Sequence, residues 1–431
     1  MLKLDGATGE VLWSQHYAGT DGLDEAALAV AVGAQDEVFF CGRATRPNVG
    51  MQMLAMRLDA TDGHVVWSSL YGRTAARDDV AWDLVVGQDG HPVIAGVAAL
   101  TSGAVCAVRQ LDAGDGSLRW HRELAGALDD FTNPGTWLAL LDGGDVAVCQ
   151  RAYGANGYDV VLARCAGNDG TPAWTVRYDG PTHGGDNPRS MIRDAAGDLL
   201  VTGVQDAFWN YNYMLLKFSG TTGALAWQAP AYDGPPGWYD AAACVAVGPG
   251  GVILVAGLSD GTGTGWDMAT VGYDPAGGAI LWDLRHDGPA GESDEARDLA
   301  VSSQGDIYVT GYGYGLGTGK DHVTLRYLAS PPSGVPTVAA GARLEPAYPN
   351  PFNPRTTIAF TLAEAGRVRL AVYGVDGRRV RTLHDGPCGA GRQVLAWDGR
   401  DGDGRALAAG VYVYLLDTGG ERLAGTATLV K

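Results

Sequence analysis

The sequence predicts an all-β chain: a β-propeller of about six four-stranded blades over residues 1–328, a linker at 329–342, and a small β-sandwich at 343–431. Three observations carry this. Sixty-five Gly and twenty Pro are spread among Val, Leu, Ala, Tyr and Trp, which suits short strands and tight turns. A tryptophan recurs every 53 to 55 residues, at Trp13, Trp67, Trp120, Trp174, Trp227 and Trp282. After residue 342 the period stops and alternating apolar runs with Gly turns take over.

Each repeated Trp follows a glycine by four residues, as in LDGATGEVLW, LDATDGHVVW and YDPAGGAILW. A strand end, a Gly where positive φ is cheap, and a second strand make a β-hairpin. A second hairpin lies midway through each unit, as in SMIRDAAGDLLVTG and LAVSSQGDIYVTG. Four strands in about 54 residues is the size of a propeller blade. The strands are lettered A to D outward from the axis. The six tryptophans lie on strand D, where a large apolar ring with one N–H donor suits docking between neighbouring blades.

These repeats resemble two families. The D-x-Y-V-T-G hairpin is similar to bacterial propeller repeats of the SBBP type, and L-D-x-x-T-G-x-x-x-W resembles the tryptophan-docking motif of quinoprotein propellers. Both resemblances imply blades. The second stops at the docking motif, because the chain lacks the adjacent cysteine pair those enzymes use, so no quinone is expected.

The array starts and stops within a blade. Met1-Leu2-Lys3-Leu4 aligns with the middle of a strand C, and His322 to Leu328 supply a final strand C with no strand D after it. Residues 9–17 are expected to complete that last blade by pairing near Val323 to Tyr327, closing a six-bladed ring. The N-terminus has no signal pattern and the chain begins inside a repeated strand, so the native gene is expected to begin upstream, with a signal peptide and at least the remainder of the first strand C; a native ring of seven or more blades is the alternative to six.

The formal net charge of −18 is uneven: residues 343–431 hold 12 basic and 9 acidic side chains, leaving 19 basic and 40 acidic before them. Such a body repels phosphate backbones, which excludes a nucleic-acid partner. No run of about eighteen apolar residues exists to span a membrane as a helix. Six cysteines without C-x-x-C spacing suggest neither a zinc site nor a disulfide framework, and Cys41 and Cys149 stand where other repeats carry Ala or Thr.

The D–A and B–C connections share one face of a propeller. An acid recurs there before strand A, at Asp24, Asp79, Asp130, Asp186, Asp240 and Asp294, and Asp159, Asp267 and Asp321 start strand C. The last three are the candidate metal ligands, with Ca²⁺ the ion such oxygens would take. The competing reading is that each Asp accepts N–H bonds from its own turn. Residues that break the repeat on this face are the candidate ligand-binding set: Tyr153, Trp209, Tyr211, Tyr213, Trp238, Tyr239 and Trp266. Aromatic rings interleaved with Asn suit a glycan or peptide. No GxSxG, HExxH or GxxxxGK[ST] motif occurs. The function expected is non-catalytic binding of a glycan, peptide or matrix component, with a propeller lyase or hydrolase, or a passive spacer, as alternatives.

The tail closely resembles the C-terminal Ig-like domains shared by flagellar-hook-capping modules and type IX secretion sorting domains. The matching residues are Tyr348-Pro349-Asn350-Pro351, Val372-Tyr373, Asp376-Gly377-Arg378, Trp397-Asp398-Gly399 and Gly410-Val411-Tyr412. The resemblance implies recognition by secretion machinery and an extracellular or cell-surface location. Asp398, Asp401 and Asp403 miss the calcium-loop register, so a hairpin turn is expected there.

Overall fold

The computed structural model describes residues 1–19, 23–72, 78–100, 103–128, 135–154, 157–206, 210–235, 237–328, 342–344, 347, 350, 352–362, 365–374, 378–389, 391–418 and 422–430. The chain divides into two compact units, Met1–Ser330 and Pro331–Lys431.

In the first unit, two strands, β1 (Leu2–Leu4) and β2 (Val11–Ser14), precede five four-stranded antiparallel blades and one three-stranded sheet. Blade 1 has strand A at Glu25–Val32, B at Val38–Arg46, C at Gly50–Leu58 and D at Val65–Tyr71. Blades 2 to 5 repeat this order over residues 80–128, 136–178, 186–228 and 240–286. The last sheet, blade 6, has strands A (Glu295–Val301), B (Ile307–Gly315) and C (Gly319–Tyr327). Each strand A packs against strand A of the next blade.

One contact repeats along the array. The indole N–H of Trp13 donates to Ala60 O at 3.1 Å, Trp67 to Ala113 O at 2.9 Å, Trp120 to Gly167 O at 2.9 Å and Trp174 to Thr221 O at 3.0 Å. Every acceptor lies in the C–D hairpin of the following blade. That hairpin's glycine has positive φ, 77° at Gly63 and 74° at Gly116, and a methyl group on either would stand 2.6 Å from the Trp of the preceding sheet. A basic residue of strand C reinforces the contact: Lys3 donates to Ala60 O, Arg57 to Ala113 O and Arg164 to Gly220 O.

The glycine that ends the V-T-G and V-A-G segments has a different cause. Strand A carries a one-residue bulge in blades 1, 2, 4, 5 and 6, opposite Gly42, Gly96, Gly203, Gly257 and Gly311. A Cβ at these positions would meet a strand A carbonyl at 1.9–2.1 Å. Blade 3 has Gln150 there, and its strand A pairs without a bulge.

The expected closure by residues 9–17 is not what the structure shows. Among the described residues, strand C of blade 6 pairs with strand B alone, and β2 pairs with β1. Register explains the difference: Lys3 faces Trp13 as Arg57 faces Trp67, so β1 already fills the strand C place beside β2. Leu28, Val30 and Val32 on strand A of blade 1 are 40–61% exposed, and a hollow of about 610 Å³ lies between them and β1–β2.

Cys41, Cys106, Cys149, Cys165 and Cys244 are buried thiols. Burial raises Cys106 to about 12 and Cys165 to about 11, so neither is a thiolate at neutral pH.

The second unit is a sandwich of a three-stranded sheet (Ala342–Leu344, Thr356–Leu362, Gly391–Trp397) and a four-stranded one (Arg379–Cys388, Gly366–Gly374, Gly410–Asp417, Arg422–Leu429). Its core gathers Trp397, Phe352, Phe360, Leu370, Val372 and Tyr414. Asp401 accepts N–H bonds from Asp403 and Arg405, which makes its segment a hairpin turn. Of the quoted tail motifs, Tyr348, Pro349, Pro351, Asp376 and Gly377 lie outside the described residues. No helix among the described residues is long and apolar enough to cross a membrane.

Candidate functional site

The D–A/B–C face of blades 3 to 5 brings together aromatic rings from three blades. Tyr211 begins strand C of blade 4, Tyr239 precedes strand A of blade 5, and Trp266 lies at the start of strand C of blade 5. Their centroids follow at 5.2 Å from Tyr211 to Tyr239 and 5.6 Å from Tyr239 to Trp266. Backbone bonds set this run: Tyr211 N–H donates to Trp238 O at 3.3 Å, and Asp260 N–H donates to Tyr239 O at 3.0 Å. Trp238 is 70% exposed, Tyr153 54% and Trp266 36%. Tyr153 meets Tyr158 edge-on at 5.5 Å.

Tyr213 does not belong to this face. It is fully buried between blades 4 and 5, with its hydroxyl donating to Ala269 O at 3.2 Å. Two residues along a strand keep the same side but move inward, which carries it beneath the neighbouring blade. Trp209 lies outside the described residues.

A cavity of about 290 Å³ opens beside the rings, lined by Tyr153, Tyr158, Tyr211, Tyr239, Asn187 and Arg189 among others. Sequence reading missed Tyr158, Asn187 and Arg189. Tyr158 had a signal: it occupies the position of Tyr211 and Trp266, just before the Asp or Asn that opens strand C.

Four of the six repeated acids are bound within the fold. Asp186 accepts from Gly180 N–H at 2.5 Å, Asp240 from Gly234 N–H at 3.1 Å, Asp294 from Gly288 N–H at 2.7 Å, and Asp79 from Ala99 N–H at 2.6 Å. Asp130 lies outside the described residues. Of the candidate metal ligands, Asp159 is paired with Arg177, Asp267 with Arg285, and Asp321 accepts from the Thr318 hydroxyl. Carboxylate oxygens of Asp159, Asp179 and Asp186 come within 4.8 Å of one another. Each has a protein partner: Arg177, His183 and Gly180 N–H respectively.

Residues 54–247 match the family described as outer membrane protein assembly factor BamB, and residues 352–417 match the FlgD Ig-like domain. The chain is thus a β-propeller, similar to BamB-type repeats over residues 54–247, followed by an Ig-like domain similar to that of FlgD. No curated protein matches the sequence. Among solved structures it is similar to a protein of unknown function from Bacteroides caccae, at 16% identity, covering 66% of this chain and 89% of that one, with a TM-score of 0.38. PorZ, an essential bacterial surface component of the type IX secretion system of Porphyromonas gingivalis, is 13% identical over 98% of this chain and 71% of its own, at 0.34. A protein from Lactobacillus plantarum is 14% identical over 84% and 99%, at 0.43. These likenesses are too loose to bear on function.

Two expected outcomes follow from the acids. Burial raises the Asp186 carboxyl to about 6, with Asp159 and Asp179 adding to the rise against the Gly180 N–H. Burial also raises Asp83 to about 6, despite N–H bonds from Leu138 and Leu84. A folded-state value above the unfolded one means stability that is fully present below about pH 4 and lost as pH climbs through 6. The thermal midpoint should therefore rise as pH falls from 7.5 to 5. Asp186→Asn should raise the midpoint at pH 7.5 and change it little at pH 5; a drop at both would contradict this. Asp240→Ala should cost about 1–3 kcal/mol, by leaving Gly234 N–H unbonded. Calorimetry should find that loss unchanged by millimolar Ca²⁺. A midpoint that climbs several degrees with Ca²⁺, and stops climbing in the variant, would show an ion at this ring.

Proposed function

We propose that the protein is a secreted or cell-surface, non-catalytic propeller that binds a glycan across the Tyr–Trp face of blades 3 to 5. The observation that carries this reading is the continuous run Tyr211–Tyr239–Trp266, held by backbone bonds and open to solvent at its Trp end. Flat rings offer apolar area to the C–H faces of a sugar at little entropic cost, and neighbouring amides and carboxylates supply direction for its hydroxyls. The C-terminal Ig-like domain is the module read by secretion machinery or used for anchoring. The description of the matched repeat family, an outer-membrane assembly factor, supports a place at the cell envelope.

The test is a glycan array of the full chain followed by titration calorimetry. Tyr239→Ala and Trp266→Ala should each weaken the best saccharide at least about tenfold, equivalent to about 1.4 kcal/mol, with unfolding midpoints near that of the parent. Affinity unchanged in both variants would rule out this face.

A further inference from the structure

Resting on the glycan reading above, we propose that the cavity between blades 3, 4 and 5 takes a carboxylate-bearing sugar, a uronic acid unit of a glycan, with Arg189 receiving the carboxylate.

Arg189 is half-buried and lines the cavity with Tyr153, Tyr158, Tyr211, Tyr239 and Asn187. Among the described residues its guanidinium makes no ion pair and no hydrogen bond. Three other arginines toward this face are ion-paired. Arg177 is held by Asp159, Arg285 by Asp267 at 2.8 Å, and Arg297 by Glu295 at 2.6 Å. Asp206 shares the cavity lining, yet no ion pair joins it to Arg189, which leaves the guanidinium available to a ligand. Its place has a structural cause. Arg189 is the extra residue of the strand A bulge opposite Gly203, where the ladder steps from Pro188 to Ser190. The bulge releases it from strand pairing and presents it to the cavity.

The chemistry of the lining selects the ligand class. A guanidinium is a planar fork of N–H donors that fits a carboxylate in two parallel bonds. Asn187 can donate to and accept from hydroxyls. The tyrosine rings provide the flat apolar surface that a pyranose ring needs. About 290 Å³ lies at the small end of ligand-pocket volumes, roughly 300–1,000 Å³. That size favours one ring of a chain over a folded peptide segment. The surrounding acids repel anions at long range, so a carboxylate is accepted for its fit to Arg189 and not drawn in by the field of the molecule.

The test uses the full chain with three probes: a galacturonic acid trimer, the corresponding neutral galactose trimer, and a short Asp/Glu peptide. Calorimetry should show the uronate bound at least tenfold more tightly than either alternative. Arg189→Gln should remove that preference while leaving the neutral trimer unaffected, and Arg189→Lys should keep part of it. Tyr211→Ala should weaken both sugars. Parent-like uronate affinity in Arg189→Gln, or equal affinity for the two trimers, overturns this inference and leaves the glycan reading standing. Tighter binding of the peptide overturns the ligand class. No saccharide bound by the parent overturns both readings.

Discussion

The propeller depends on one contact made again and again: the strand D tryptophan of one sheet laid on the hairpin glycine of the next. The glycine is needed twice over. Its backbone sits at positive φ, and its missing side chain leaves room for the indole. The indole N–H then satisfies a hairpin carbonyl that would otherwise face an apolar ring. A basic residue on strand C reaches for the same hairpin, so charge and ring close on a single turn. Gly-x-x-x-Trp is therefore not one local motif. Within a unit its two ends serve opposite neighbours, the glycine receiving the ring from behind and the tryptophan reaching forward.

That division of labour explains why the strand plan was legible in the sequence. A 54-residue period with two Gly-marked hairpins determines four strands per blade, and the broken first and last sheets follow from where the period is interrupted. The strand A bulge was not legible. Its glycine is visible as a repeat, but only the approach of a carbonyl from the adjacent strand explains it, and Gln150 with an unbulged partner is the exception that shows the link. The closing contact was misjudged for a related reason. The missing strand D of the last sheet pointed to residues 9–17, whereas Lys3 opposite Trp13 is the register of an ordinary strand C beside strand D.

The candidate site divides along the same line. Tyr211, Tyr239 and Trp266 stood out because they break the repeat. Tyr213 was grouped with them because alternation along a strand reports the side a residue faces and not its depth. Arg189 was invisible, since its position depends on a bulge opposite Gly203 and its significance on the cavity it lines. Four of the repeated acids, Asp79, Asp186, Asp240 and Asp294, are used by the fold itself, each tying a D–A loop to strand A or strand B. Symmetric positions hold the array together, while the asymmetric ones in blades 3 to 5 gather on one face around one cavity.

The docking contact can be isolated by comparing two alanine substitutions at glycines of similar conformation. Gly116 (φ 74°) lies under Trp67, whereas Gly90 (φ 79°) faces open space. Both variants bear the strain of an alanine at positive φ, about 1–2 kcal/mol. Thermal unfolding of the full chain should show Gly116→Ala losing clearly more than Gly90→Ala, because only there must an indole also be displaced. Equal losses would mean that the tryptophan–glycine contact does not hold the blades together.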